Sequence, residues 1–305
     1  MSKNPCEFDV LCLGHASYDL VFSVPHHPAS DEKLFADSLL GCGGGPAANA
    51  AVLVAKLGFK SAFAGYLGRD LYGDCHLQEL QAASVNTQWV VRGESPTPLS
   101  AVLVKPDGQR ALLNYKGDTI ALTAESVDFS TVGSRCVLFD GHEPALSLKL
   151  LGQIDRKVTA TVLDAGSLHE GTRALMDKVD YLVCSEKFAT QYAGEEQTAL
   201  QQLANIAPVV VVTLGERGLI WQRGQENGRL SAPTLHAVDS TGAGDAFHGA
   251  FAAAVAAGMD WPAILRFASA AGAFCCTRLG ARPGLPDLGQ LETLLAQWQP
   301  EGCSK

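Results

Sequence analysis

Between residues 136 and 214 the sequence alternates four short apolar runs with four helical segments. Apolar runs of this length, rich in Val and Leu, are typical of strands that are buried on both faces. The predicted strands are 136–139, 159–163, 181–184 and 209–214, and the predicted helices are 144–154, 169–176, 186–192 and 197–205. Strands that alternate with helices form a mostly parallel sheet with helices on both sides. The sequence therefore predicts an α/β fold.

Two segments do not follow this alternation. Residues 15–40 have loosely alternating apolar positions and a turn, and residues 98–117 contain two apolar runs joined by Pro-Asp-Gly-Gln, a strong hairpin signal. These segments predict a small second sheet that projects from the main body. Since no linker or repeat interrupts the chain, we predict one domain over residues 1–305, with the strands of the small sheet inserted at about 15–40 and 98–117.

Composition and charge exclude several classes of protein. The 305 residues are 47% hydrophobic, enough for a substantial core, and the net charge of −9 without a basic run argues against a nucleic-acid partner. The first eight residues do not resemble a signal peptide, and His248, Asp260 and Arg266 interrupt the longest apolar stretch, so we expect no membrane segment. Nine cysteines without a C-x-x-C pair support neither a disulfide framework nor a zinc site. We predict a cytoplasmic protein.

The most informative stretch is Val-Asp-Ser-Thr-Gly-Ala-Gly-Asp at residues 238–245. It follows a predicted strand and opens an Ala-rich helix, so its glycines and the helix N-terminus form an anion site. Asp245 lies in the first helical turn, where a carboxylate can take a proton from a hydroxyl that attacks a bound phosphate. The alternative is an ordinary glycine turn with Asp245 capping the helix. Neither the Rossmann nor the Walker A spacing is present.

Three further features suggest ligand binding. Gly-Cys-Gly-Gly-Gly-Pro at residues 41–46 precedes a helix that carries one polar residue, Asn49. Asp19 follows the first strand, where a carboxylate can accept hydrogen bonds from sugar hydroxyls, and residues 211–218 are a buried strand that runs into a polar loop. The alternatives are a buried Asn satisfied by a neighbouring loop and a carboxylate in a surface turn.

The order of these motifs resembles the two signatures of the ribokinase-like (PfkB-type) carbohydrate kinases. The signatures are Gly-Gly-Gly-Pro-Ala-Ala-Asn near residue 45 and Asp-Ser-Thr-Gly-Ala-Gly-Asp near residue 242, and the resemblance covers essentially the whole chain. It implies a ribokinase-like fold with a small β-sheet lid over the sugar, and ATP, Mg²⁺ and K⁺ as cofactors.

The resemblance also implies roles for individual residues. Asp245 would be the general base, and the N–H groups of Gly242, Ala243 and Gly244 would form the anion hole for the transferred phosphoryl group. Other positions would bind the sugar (Asp19, Gly44, Gly45 and Asn49), the nucleotide (Thr213, Gly215 and Gly218) and a monovalent cation (Asp239 and Thr241, with the loop 276–283).

One departure from the family concerns Mg²⁺. Many relatives carry N-x-x-E after the strand that here ends near Cys184, whereas this sequence has Ser185-Glu186-Lys187-Phe188. Glu186 is the remaining acidic candidate beside the nucleotide. Ketohexokinases and sulfofructose kinases resemble this chain in lacking the motif, so we do not expect its loss to abolish activity.

The same two groups of kinases suggest further sugar contacts. Lys33 and Asn114 match positions that face the sulfonate in sulfofructose kinases, and Asp140 matches an acid that contacts the sugar in ketohexokinases. His142 stands where an arginine would hold the sulfonate, and a neutral imidazole holds a permanent anion less well than a guanidinium does. A neutral ketose or a differently substituted sugar is therefore as compatible with the sequence as sulfofructose. For Asp140, the alternative is a strand-end carboxylate.

The predicted function is ATP-dependent phosphorylation of a primary hydroxyl of a ketose or pentose: a fructose-like or sulfofructose-like sugar, or ribose. A nucleoside kinase is the first alternative, because Phe22, Phe35 and Tyr115 of the predicted lid could face a base. A sugar-sensing protein with weak catalysis is the second, suggested by the missing N-x-x-E. The expected partners are a small sugar and ATP, with neither nucleic acid nor membrane. We also predict a homodimer through the lid, because exposed strand edges tend to pair.

Overall fold

A computed structural model describes residues 6–299 of the chain. Within these residues the chain forms thirteen strands and ten α-helices. The strands are β1 (Phe8–Leu13), β2 (Ser17–Ser23), β3 (Ser38–Gly44), β4 (Ser61–Gly68), β5 (Asn86–Gly93), β6 (Leu99–Val104), β7 (Arg110–Tyr115), β8 (Ser134–Phe139), β9 (Ala160–Ala165), β10 (Tyr181–Ser185), β11 (Val209–Thr213), β12 (Leu219–Arg223) and β13 (Glu226–Leu230). The helices are α1 (Pro46–Lys56), α2 (Leu71–Ala82), α3 (Pro144–Gln153), α4 (Glu170–Leu175), α5 (Glu186–Ala193), α6 (Glu196–Leu203), α7 (Ala243–Ala256), α8 (Trp261–Cys275), α9 (Ala281–Gly284) and α10 (Leu288–Gln297).

Nine strands form the main sheet, in the order β13-β12-β11-β10-β9-β8-β1-β4-β5. The seven strands from β11 to β5 are parallel, while β12 and β13 form an antiparallel hairpin at one edge. The predicted mostly parallel sheet is confirmed. The edge strand β5 and the hairpin of β12 and β13 were not predicted from the sequence.

The helices cover both faces of this sheet, as expected for strands that are apolar throughout. In β11, Val209 and Val211 join the core on one face, together with α1, α7 and α8, whereas Val210 and Val212 join the core on the other face, with α3 to α6. This alternation follows from the period of two along a strand. Because alternate apolar side chains of these strands reach the two cores, the sheet is packed on both faces and its carboxyl ends are held in position.

The smaller sheet that the sequence predicted is present beside the main sheet, with the strand order β3-β2-β6-β7. Its registers place Asp19 opposite Ser100, and Ser100 opposite Asn114, so these three polar side chains share one face. That face turns toward the carboxyl ends of the main sheet, since all three residues line the cavity between the two sheets. The single-domain organisation over residues 1–305 stays a prediction, because it extends beyond the described residues. No helix in the described range 6–299 is long and apolar enough to span a membrane.

The close approach of α1 and α7 depends on small residues. Both helices are rich in alanine, and Gly249 of α7 faces the backbone of Ala50 in α1. A Cβ atom on Gly249 would lie 2.9 Å from the Ala50 carbonyl oxygen and 3.0 Å from its Cα, which is closer than such atoms can approach. The spacing matters for the site, because α1 carries Asn49 and α7 carries Asp245.

We predict that Gly249→Ala lowers the free energy of unfolding by about 1–3 kcal/mol, since the added methyl group must push α1 and α7 apart. The matched control is Gly152→Ala in α3, where a Cβ atom would have no neighbour within 4 Å. In that open position alanine is expected to stabilise the helix by about 0.5–1 kcal/mol. Chemical denaturation of both variants measures the difference, and equal stabilities would contradict this account of the helix contact.

Candidate active site

A cavity of about 600 Å³ lies between the small sheet, the N-termini of α1 and α7, and the loops that follow β1 and β8. Three carboxylate side chains line it, those of Asp19, Glu143 and Asp245. In parallel α/β sheets, ligands bind outside the carboxyl ends of the strands, where this cavity is. The fold therefore brings residues that are far apart in the sequence to one concave site.

The N-terminus of α7 forms one wall of the cavity. Gly242 precedes the helix with φ +80°, and a Cβ atom there would lie 2.9 Å from the Cα of Ala281, so glycine is required for both reasons. The N–H of Ala243 donates a hydrogen bond of 3.3 Å to the carbonyl oxygen of Ser240, which closes the turn. This end of the helix dipole gives the wall partial positive charge, as an anion site requires. Gly244 is exposed at the same end.

Asp245 lies in the first turn of α7 and lines the cavity. Its Oδ2 accepts a hydrogen bond of 2.7 Å from Nδ2 of Asn49 in α1. Burial raises the pKa of the Asp245 carboxyl above its ordinary value, while the bond from Asn49 and the positive charge of Arg110 oppose that shift. A carboxylate with a raised pKa accepts a proton more readily than a solvated one does, as a general base requires.

Asp19 lies on β2 opposite the helix wall and is 5% exposed. The hydroxyl of Ser17 donates to its Oδ1 at 3.0 Å, and burial raises its pKa to about 6. Gly44 on the neighbouring strand makes room for this carboxylate, because a Cβ atom at Gly44 would lie 2.2 Å from Oδ2 of Asp19. Gly45, with φ +92°, turns the chain into α1 and also lines the cavity. Asp19, Gly44, Gly45 and Asn49 are thus brought together around Asp245.

Asp140 lies behind the cavity wall, and its oxygens are occupied by the backbone. Oδ2 accepts the N–H groups of His15 at 2.7 Å and Ala47 at 3.2 Å, and Oδ1 accepts the N–H of His142 at 2.9 Å. A side chain at Gly14 would collide with this carboxylate, since a Cβ atom there would lie 2.0 Å from Oδ1. Asp140 therefore holds three chain segments together.

The other predicted sugar contacts divide into two groups. Asn114 lines the cavity from β7, and so does His142. Lys33 does not line it: this side chain is exposed in the loop between β2 and β3, with its Nζ 5.7 Å from the centre of the Phe35 ring. Within this chain, Lys33 and Asn114 do not share a site.

The predicted nucleotide residues lie at two neighbouring strand ends, outside the cavity. Glu186 begins α5 directly after β10, and Thr213 ends β11, where its hydroxyl donates to the carbonyl of Cys184 at 3.3 Å. Gly215 and Gly218 have φ angles of +60° and +86° in the following turn. A Cβ atom on Gly218 would lie 2.0 Å from the Leu230 carbonyl oxygen, which explains the glycine. The carboxylate of Glu186 pairs with Arg217 at 2.8 Å.

Asp239 and Thr241 form a buried loop beneath α7. Oδ1 of Asp239 accepts both the N–H and the hydroxyl of Thr241, at 2.9 and 2.7 Å, and Oδ2 accepts the N–H of Gly280 at 2.8 Å. Asp239 is 0% exposed, and we find no ion pair between it and any residue from 6 to 299. Burying a carboxylate without a cationic partner is costly, so this position suits a bound monovalent cation. The described part of the chain has no group of three or more His, Cys, Asp or Glu side chains arranged for a metal ion.

Some residues at the site could not be assigned from the sequence. His248 and Asp164 are buried under the first turn of α7: Nδ1 of His248 lies 2.6 Å from the Gly244 carbonyl and 3.3 Å from Oδ2 of Asp164, and Nε2 lies 3.1 Å from the Val183 carbonyl. Their only sequence signals were an acid at a strand end and a histidine on an apolar helix face. Arg110 and Lys116 also line the cavity, from the small sheet and the loop after it.

Three histidine rings form a row beside the cavity. The ring centres of His15 and His142 lie 5.0 Å apart, and those of His142 and His169 lie 5.1 Å apart. Burial and the neighbouring His142 lower the pKa of His15 to about 4, so its ring is neutral at physiological pH. His15 and His142 of this row line the cavity and give one side of it ring nitrogens that can form hydrogen bonds.

Comparison with known proteins identifies the class to which this geometry belongs. The family model of the pfkB family carbohydrate kinases matches residues 7–288. The chain belongs to this family, and it is therefore a phosphotransferase that uses an alcohol group as acceptor. The predicted family and activity class are confirmed.

Individual relatives show the range of acceptors within this similarity. The chain is 29% identical to the ribokinase of Bacillus subtilis (94% of this chain, 99% of the relative) and 28% identical to probable fructokinase-5 of Arabidopsis thaliana (83% and 87%). It is 24% identical to the nucleoside kinase of Methanothermobacter thermautotrophicus (95% and 96%). The structure of Arabidopsis thaliana ribokinase complexed with ribose and ATP superimposes with a TM-score of 0.83, at 26% identity, over 94% of this chain and 98% of that one. These comparisons support a sugar or nucleoside kinase.

The raised pKa of Asp19 has a measurable consequence. Because the folded-state pKa of about 6 exceeds the ordinary value of 3.8, the folded protein binds this proton more tightly than the unfolded chain does. The associated stability is full below about pH 4 and is lost as the pH rises through 6. We predict that Asp19→Asn becomes more stable relative to the wild type by about 2–3 kcal/mol between pH 4 and pH 7.5. Urea denaturation at both pH values measures this change, and a pH-independent difference would contradict the assigned pKa.

Proposed function

We propose that the protein is an ATP-dependent sugar kinase that phosphorylates a primary hydroxyl of a ketose or pentose. The observation that carries the proposal is the position of Asp245 in the first turn of α7. Asp245 accepts a hydrogen bond from Asn49 and faces Asp19 across the cavity under the small sheet. A carboxylate, a helix N-terminus and a polar surface of the small sheet thus surround one volume, which supports the proposal. Ribose and fructose are the first sugars to test, given the names of the curated relatives.

In the proposed reaction the small sheet and α1 hold the sugar. Asp19 accepts hydrogen bonds from sugar hydroxyls, while Ser100 and Asn114, in the same row of the small sheet, can both donate and accept. Asp245 takes the proton from the attacking hydroxyl as its oxygen bonds to the γ-phosphorus of ATP and the bond to the ADP oxygen breaks. The N-terminus of α7 stabilises the transferred phosphoryl group with the N–H groups of Gly242 and Gly244, while the N–H of Ala243 is bonded to the Ser240 carbonyl.

The nucleotide is proposed to bind at the ends of β10 and β11, close to Glu186, Thr213, Gly215 and Gly218. Since Glu186 is paired with Arg217, we expect Mg²⁺ to take most of its ligands from the phosphates and water. When bound, Mg²⁺ neutralises phosphate charge during transfer. A potassium ion at Asp239 would offset the buried negative charge beneath the anion site.

A nucleoside kinase is the second candidate, and a specific feature favours it. Leu99, Leu112, Tyr115 and Ile120 line the cavity and offer an apolar surface for a base. The ring nitrogens of His15 and His142 and the carboxylates instead favour a hydroxyl-rich ligand. A coupled assay of ADP release with ribose, fructose, fructose phosphates, sulfofructose and nucleosides separates these substrates. ADP release with nucleosides alone would favour the second candidate, and sugar binding without ADP release would indicate a sensor.

For the base assignment, we predict that Asp245→Asn lowers kcat on the best substrate by about 10²- to 10⁴-fold, because the amide cannot accept the hydroxyl proton. The amide keeps the size of the carboxylate, so sugar affinity measured by calorimetry is expected to change little. Asp74→Asn, an exposed carboxylate on α2, serves as the control and should leave kcat unchanged. Near-normal turnover of Asp245→Asn would exclude this residue as the base.

We also propose that the protein acts in the cytoplasm as a homodimer formed through the small sheet. The face of this sheet away from the cavity is apolar across all four strands. Its registers align Leu20 with Ala101 and Leu113 in one row, and Leu39 with Phe22, Leu103 and Ala111 in the next. Leu113 is 74% exposed and Leu39 is 60% exposed. An apolar surface of this kind marks an interaction site, and isologous pairing would bury it.

We predict that Leu113→Glu yields a monomer in light scattering, whereas the wild type has the mass of a dimer. The reason is that a dimer would bury the introduced carboxylates without partners. Leu71→Glu is the matched control, because Leu71 is 71% exposed at the start of α2, outside the small sheet. A wild-type protein with the mass of a monomer would refute the proposed interface.

A further inference from the structure

The side chain of Arg282 is buried directly behind the Asn49–Asp245 pair. It projects from α9, is 9% exposed, and its Nε donates a 2.7 Å hydrogen bond to Oδ1 of Asn49. Burying a guanidinium requires that its donors be paired. Arg282 lies outside both signature stretches, and the mechanism described above does not use it.

This bond determines which way the Asn49 amide points. An asparagine amide has one accepting and one donating end, and the two are nearly equal in shape. Since a guanidinium can only donate, the oxygen of Asn49 must face Arg282, and the NH₂ group must face Asp245. In the flipped amide, an NH₂ group would face the guanidinium, and an oxygen would lie 2.7 Å from the Asp245 carboxylate. Both contacts would be repulsive.

The remaining donors of Arg282, its two terminal nitrogens, contact residues of α2 on the side away from Asn49. Nη2 lies 2.7 Å from Nε2 of His76, and because arginine cannot accept, this nitrogen of the imidazole must be the acceptor. Burial and the adjacent guanidinium lower the pKa of His76, in agreement with a neutral ring. Nη1 lies 3.5 Å from Oε2 of Glu79, which also accepts the N–H of Gly43 at 2.8 Å.

The side chains of Arg282 and His76 also pack against the end of β3, a strand of the small sheet. A Cβ atom on Gly43 would lie 2.5 Å from the His76 ring and 3.0 Å from Nη2 of Arg282. The end of β3 therefore rests on the same side chains that hold Arg282, so the guanidinium has one position available to it.

We infer that Arg282 is a positioning residue for the catalytic step: it locks the Asn49 amide so that its NH₂ group donates to Asp245 and holds that carboxylate ionised and aimed into the cavity. The inference rests on the proposed function in one respect, the role of Asp245 as the base. Other charged groups face Asp245 as well, namely Arg110 from the small sheet, His248 from α7, and the carboxyl groups of Asp19, Asp140 and Asp164. The test must therefore separate the effect of Arg282 from theirs.

The experiment is a titration of Asp245 by ¹³C NMR of the aspartate carboxyl carbons, with Asp245→Asn used to assign the signal. In Arg282→Met the oxygen side of the Asn49 amide is no longer held, its hydrogen bond to the Asp245 carboxylate is no longer fixed in place, and the pKa of Asp245 is expected to rise by about one unit or more. In Arg282→Lys, which lacks the planar fork that reaches Asn49 and His76 together, we expect a smaller rise. If Arg282→Met does not fold, the pKa of Asp245 is measured in Arg282→Lys alone.

Two comparisons distinguish positioning from a purely structural role. Glu79→Gln removes the neighbouring charge but keeps the bond from Arg282 to Asn49, so the pKa of Asp245 should stay within about 0.3 units of the wild type. Asn49→Leu should raise this pKa as Arg282→Met does, and the double variant should show no further rise, because Arg282 acts through Asn49.

The outcomes are separable from those of the proposed function, because the titration needs no turnover. Folded arginine variants in which Asp245 keeps its wild-type pKa would overturn the inference, and so would additive effects in the double variant. A raised pKa in a protein that phosphorylates neither sugars nor nucleosides would support the positioning role and sink the proposed function instead. If both hold, the acidic limb of the kcat–pH profile should move upward in Arg282→Met together with the NMR pKa.

Discussion

The carboxylate of Asp140 accepts three backbone N–H groups, and the geometry of the site depends on this arrangement. The N–H groups belong to His15 after β1, Ala47 at the start of α1, and His142 after β8. An ionised carboxylate forms strong hydrogen bonds to such donors, and the one at Ala47 also complements the positive end of α1. Without it, the connection that presents Asp19 and the helix that presents Asn49 would have no common anchor. The proposed contact of Asp140 with sugar would therefore have to share oxygens that already bind the backbone.

The second determinant is the narrow gap between α1 and α7. Asn49 can reach Asp245 at 2.7 Å because alanine and glycine line the facing surfaces of the two helices. Larger side chains would fill the core as well but would separate the two polar groups. The abundance of small residues, which in the sequence is only a general helix signal, thus sets the distance between Asn49 and Asp245, the proposed base. The same small residues that pack α1 against α7 therefore also bring Asn49 within hydrogen-bond distance of Asp245.

The sequence predicted the parts of the molecule that are encoded locally. The runs that became β8 to β11 are apolar throughout, because both of their faces are buried, and the residues around Gly44 and Gly242 carry glycines that their backbone positions demand. In contrast, β5 and the hairpin of β12 and β13 lie at the two ends of the sheet, and polar residues interrupt their apolar pattern. Lys33 was expected beside Asn114, but its position depends on a loop without regular structure. Arg282 and Asp164 gain their significance only from partners more than 80 residues away.

The charge distribution of the cavity is consistent with the proposed proton transfer to Asp245. Asp19, Glu143 and Asp245 line one volume, and burial raises the pKa of all three, that of Glu143 to about 7. The negative charge of Asp245 adds to the rise in the pKa of Asp19. In a chain of net charge −9, these acids would repel a nucleotide unless positive potential were concentrated where the phosphates lie. The N-terminus of α7 and the side chains of Arg110 and Lys116 supply that potential at the cavity. The site thus separates a carboxylate-rich volume suited to hydroxyl groups from a helix terminus suited to a phosphoryl group, and Asp245, the proposed base, lies between the two.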